Sequence, residues 1–180
     1  MSHKQDDASP DERHSLEALY ARPGFIIRRA HQIVAALFDE AAAELGITTT
    51  QYSVLYALRV RPAIDQISLC ELIGIDRSTA TLVLRLLETN GLIERKADPE
   101  DGRRKQLTLS PAGFRMLQRA EPATTIISGH MRTVLSDGEY GLLIDLLGKF
   151  VAAYNRRVRN PLIPGSAEGE QRPGTKKRRK

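Results

Sequence analysis

From Phe25 onward the apolar positions follow helical spacing. Phe25, Ile26, Ile27, Ala30, Ile33, Val34, Leu37, Phe38, Ala41 and Leu45 make a wide stripe, and Gly46 stands where a helix commonly stops. The stretch "TTTQYSVLYALRVRP" opens with a capping box, Thr48 to Gln51, and ends before Pro62. "ISLCELIG" predicts a two-turn helix stopped by Gly74. After a three-residue turn, "IDRSTATLVLRLLETNG" predicts another, capped by Asp76 or Ser78 and ended by Asn90-Gly91. Leu82, Val83, Leu86 and Leu87 are its expected buried stripe. Residues 92–109 alternate apolar and polar positions around a charged turn, which predicts a hairpin. Ser110-Pro111 begins a long helix that Pro122 is expected to kink or split. A second capping box, Ser136 to Glu139, opens a last helix with an apolar face of Leu142, Leu143, Leu146, Leu147, Phe150, Val151 and Tyr154. The order predicts a mainly α chain with a small β-hairpin wing.

Composition changes this picture little. With 4 Phe, 5 Tyr and no Trp in 180 residues, the core must be aliphatic. No apolar run reaches the roughly 18 residues of a membrane span, and residues 1–15 are polar, so they predict a disordered lead rather than a secretory signal. The single cysteine, Cys70, allows no intrachain disulfide and fits a reducing cytoplasm. It lies on the apolar side of "ISLCELIG", where a small core residue suffices. The net charge of +5 needs locating. Residues 161–180 hold six basic and two acidic residues, so most of the excess belongs to a predicted disordered tail. That tail, ending "KKRRK", either tracks a DNA backbone non-specifically or only solvates itself.

Two short helices joined by a tight turn, with a hairpin behind them, are a helix-turn-helix with a wing. In such a motif the second helix enters the DNA major groove and presents its first residues to bases and phosphates. Arg77, Ser78, Thr79 and Thr81 occupy that start, with Arg85 one turn further on and Ser68 on the helix before. Some of these must simply cap, and two of Ser78, Thr79 and Thr81 are expected to touch DNA. Leu82 has an alternative to burial, contact with a thymine methyl. At the hairpin tip, Arg103, Arg104 and Lys105 serve no core, but they suit a narrow minor groove. Asp98 and Asp101 would orient their guanidinium forks.

The stretch "STATLVLRLLETNGLIERKADPEDGRRKQLTLSPAG" resembles the MarR family of bacterial winged-helix regulators. The likeness covers the recognition helix, the "GLI" after it, the "DPEDGRR" wing and the "LTLSPAG" exit, and extends over about residues 20–158. It implies a homodimer that reads a palindromic duplex, with residues 16–47 and 111–160 as the dimerisation region and 48–110 as the DNA-binding lobe. It also implies a cytoplasmic, nucleoid-associated repressor without a cofactor. "PGFIIRRAHQ" is similar to a subgroup governing aromatic-acid catabolism, whose inducers are free acids or CoA thioesters. On that resemblance Arg28, Arg29 and His31, with Tyr52 and Tyr56, are candidate effector contacts. The plain alternative for the arginines is solvated helix surface with one dimer salt bridge.

Enzyme chemistry finds no support. GxSxG, GxxxxGK[ST] and HExxH are absent, and no GxGxxG follows a strand. The four histidines lack metal-ligand spacing. Two other classes remain open: a DNA-binding regulator with no ligand, and a winged helix used as a protein-interaction scaffold.

Overall fold

The computed structural model describes residues 15–97, 105–158 and 161–162. The helices are α1 (Leu16–Tyr20), α2 (Pro23–Ala41), α3 (Thr49–Val60), α4 (Gln66–Ile73), α5 (Arg77–Thr89), α6 (Pro111–Val134) and α7 (Asp137–Tyr154). The strands are β1 (Ile64–Asp65), β2 (Ile93–Ala97) and β3 (Lys105–Leu109), in the order β1-β3-β2 and antiparallel throughout. The mainly α architecture with a small wing stands as read from the sequence.

Local chemistry sets most boundaries. Both capping boxes form: the Thr48 amide donates to Gln51 Oε1 (2.9 Å) and the Ser136 amide to Glu139 Oε2 (2.8 Å). Gly46 and Gly74 take the left-handed conformation at helix ends, with φ of 62° and 70°. The first long helix ends at Ala41, short of Leu45, and a 3-10 turn over Ala43–Leu45 completes the run. Strand β1 has only two residues, too few to show a period, and the sequence pattern missed it.

Two clusters make the core. The first joins Val54, Leu55 and Leu58 of α3 to Leu69, Leu84, Leu87, Ile93, Leu107 and Leu117. The second joins Phe38, Ala42 and Ile47 to Ala120, Ala123 and Ile127. Tyr52 and Met116 pack against both.

Two expectations are corrected here. Of the kink or split expected at Pro122, the split does not occur: α6 is a single helix from Pro111 to Val134. The proline's missing N–H costs one bond, while Leu117, Ala120, Ala123 and Ile127 bury a stripe running past it on both sides. The buried side of α5 is Ala80, Leu84 and Leu87, with Val83 partly covered. Leu82 and Leu86 are 71% and 47% exposed. At about 100° per residue, each stands roughly 200° around the helix from Leu84, two positions away, so neither can share the stripe that Leu84 occupies.

The apolar face of α7 is present but uncovered: no residue of that helix is buried within the chain. Ile26, Ile27 and Ile33 of α2 are exposed likewise. No helix among the described residues is long and apolar enough to cross a membrane.

Candidate nucleic-acid interface

Each half of the helix-turn-helix is started by an aspartate. Asp65 accepts the amides of Ile67 (2.8 Å) and Ser68 (3.0 Å) and the Ser68 hydroxyl (3.0 Å) at the start of α4. Ser68 is thereby engaged in a cap and half-buried. Asp76 starts α5, accepting the Thr79 amide (2.8 Å), the Thr79 hydroxyl (2.7 Å) and the Ser78 hydroxyl. These donors, the Ser78 hydroxyl foremost, hold its carboxyl well below the usual aspartate range. Of the two caps open from the sequence, Asp76 is the one used. Ser78 and Thr79 aim their hydroxyl hydrogens at it.

Thr81 is fixed from two sides. Gln66 Nε2 donates to its Oγ1 (2.9 Å), which donates to the Arg77 carbonyl (2.7 Å). Gln66 was not among the residues singled out from sequence. It lies 15 positions away, and only the folded contact between α4 and α5 reveals its part. With Ala80, Leu84 and Leu87 inward, α5 turns Arg77, Ser78, Thr81, Leu82 and Arg85 outward along one exposed face.

The wing is tied to the C-terminal end of this helix. Arg95 Nε of β2 meets Glu88 Oε2 of α5 at 2.9 Å. Ser110 Oγ donates to the Gly91 carbonyl (2.6 Å) and accepts the Gly113 amide (3.0 Å). A Cβ on Gly113 would stand 1.9 Å from the Leu92 oxygen, so only glycine permits α6 to approach the residue before β2 this closely. The ladder pairs Ala97 with Lys105, which is exposed. Asp98, Asp101, Arg103 and Arg104 lie outside the described residues.

The effector candidates fall into two groups. Arg28 and Arg29 both reach Gln32 Oε1 (3.4 and 3.0 Å), and the Arg28 guanidinium covers the Phe25 ring at 4.9 Å. They and His31 are exposed. Tyr52 stacks between Phe38 (5.6 Å) and Tyr56 (6.1 Å), and burial pushes its hydroxyl pKa up. Helical rise places Arg28 and Phe38 about 15 Å apart along α2. A cavity of about 380 Å³ lies elsewhere, lined by Ile73 and Gly74 of α4 and by Phe150, Val151 and Tyr154 of α7, among others. Cys70 is buried, and burial raises its thiol pKa, consistent with inert packing. Among the described residues no His, Cys, Asp or Glu cluster could hold a metal ion.

An outward, mainly polar helix face beside an antiparallel ribbon is the architecture of a winged helix-turn-helix. Residues 47–105 match the MarR family. A Thauera aromatica protein assigned as a transcriptional regulatory protein for the hcr operon is 36% identical over 128 residues, covering 69% of this chain and 75% of that protein. This chain belongs to the MarR family of transcriptional regulators, and it is not an enzyme. The PcaV regulator of Streptomyces coelicolor, solved with its natural ligand, is 32% identical with a TM-score of 0.69, covering 75% of this chain and 95% of that one. The repressor CouR, solved on a 23-mer DNA duplex, is 27% identical with a TM-score of 0.71, covering 76% and 97%.

Proposed function

We propose that the chain is a homodimeric repressor released from a palindromic operator by an aromatic acid or its CoA thioester. The observation that carries the DNA part is the outward face of α5, where Arg77, Ser78, Thr81 and Arg85 stand together. Lys105, Arg103 and Arg104 extend the contact into an adjacent groove, with Asp98 and Asp101 in support. Ser68 and Thr79 contribute through the caps they complete. Two-fold symmetry then sets the half-sites about 10 bp apart.

The uncovered apolar faces of α2 and α7 support dimerisation through residues 16–47 and 111–160. The effector class rests on likeness. PcaV was solved with its natural ligand, and the DNA binding of BpsR from Bordetella bronchiseptica is regulated by 6-hydroxynicotinic acid. Arg28, Arg29 and His31 supply exposed cationic and polar groups for a carboxylate. Tyr52 and Tyr56 supply aromatic surface, which a second subunit would have to complete into a pocket with the arginines.

The test is a binding assay on the DNA upstream of the chain's own gene, repeated with aromatic acids and their CoA thioesters. Release by one compound is the expected result, and it names the ligand class. Binding that no compound alters would remove the effector from the proposal. Absence of binding at low salt would return the winged helix to a protein-interaction role.

A further inference from the structure

We infer that Leu82 is a specificity-determining residue that reads the C5-methyl group of a thymine in each half-site. The inference rests on the DNA-binding reading of α5. Among the described residues, only Val134 is a more exposed large hydrophobic than Leu82, at 79% against 71%. Most of the other exposed apolar side chains lie on α1, α2, α6 and α7, where a second copy can cover them. Leu82 does not. It stands on the outward face of the recognition helix, with Ser78 one turn before it and Arg85 almost one turn after.

The groove that receives such a face offers mostly hydrogen-bonding groups. Its apolar feature is the thymine methyl, which makes T·A distinguishable from every other pair. A leucine there gains nothing from a phosphate and offers no donor or acceptor to any base. Against a thymine it buries a methyl group. The side chain is also held at a fixed height, because Asp76 caps the helix and the Gln66–Thr81 bond anchors its first turn. Leu86 lies about 6 Å further along the axis. In helix-turn-helix proteins the N-terminal residues of this helix meet the bases, which favours Leu82 over Leu86.

The experiment starts with the full chain selecting duplexes from a random-sequence library. The preferred duplex is then made with each thymine replaced in turn by deoxyuridine, which deletes one methyl and keeps the base pairing. The expected result is one thymine per half-site whose replacement weakens binding about fourfold, and about sixteenfold when both are replaced, as burial of one methyl-sized group implies. Leu82→Ala should bind the thymine and deoxyuridine duplexes equally, with an unchanged melting temperature because the side chain is exposed. Leu86→Ala should keep the discrimination. Wild-type affinity indifferent to every replacement, or Leu82→Ala as sensitive as wild type, overturns the assignment while sequence-specific binding stands. A chain that enriches no sequence overturns both this assignment and the reading beneath it.

Discussion

Asp76 shows how one side chain can organise the exposed start of a helix. Its carboxylate accepts the hydroxyls of Ser78 and Thr79, so both hydroxyl hydrogens are committed to the cap. Its pKa is depressed in the folded state. The stabilisation is therefore complete above the ordinary aspartate range and is lost as pH falls through the lower, folded value. Asp76→Asn keeps a capping acceptor and removes the charge. Melting temperatures taken from neutrality into acid should fall less steeply for that variant than for wild type. Arg85 carries a different expectation. If it contacts a phosphate, Arg85→Ala should reduce the slope of log affinity against log salt by about one. An unchanged slope in a salt titration would remove it from the contacts. Singly, these residues were open to sequence reading, since Asp76 and Arg85 follow from cap chemistry and helical position. Gln66 was not, because its partner Thr81 is 15 residues distant and becomes a neighbour only when α4 crosses α5.

Elements were legible where their boundaries are local. Thr48, Ser136 and the Ser110-Pro111 pair announce helix starts, and Gly46 and Gly74 announce ends, because capping is decided within one turn of chain. Facing was harder to read. The sequence of α5 has apolar residues at 82, 83, 84, 86 and 87, enough for two competing stripes, and only packing against α3 and β2 chooses Leu84 and Leu87. The split offered at Pro122 does not occur for a related reason, since the local cost is outweighed by the stripe buried along α6. The junction between β2 and α6 yields a direct test of element packing. Gly113→Ala forces a methyl against the Leu92 carbonyl, and overpacking of this kind costs roughly 1–3 kcal/mol. Urea unfolding should show a lower midpoint with an unchanged slope. A variant as stable as wild type would mean that α6 can back away from the sheet freely.

At the scale of the molecule, the apolar faces of α2 and α7 are unfinished within one chain. Leu142, Leu146 and Phe150 repeat every four residues along α7 and are each more than half exposed. Phe150→Asp should shift the protein toward monomer in sedimentation and weaken operator binding, since one recognition helix alone spans one half-site. Full dimerisation by that variant would exclude this face from the interface. The continuity of α6 has a mechanical corollary. Its 24 residues make a rod about 36 Å long. Leu117, toward the N-terminal end, is embedded among the lobe's side chains, and Ile127 further on is embedded with those of α2. Pro122 lies between them within one continuous helix, so a tilt of about 5° imposed at the far end and carried through it would sweep the wing's root through roughly 3 Å. The spacing between two recognition helices would then be set by how the rods lean.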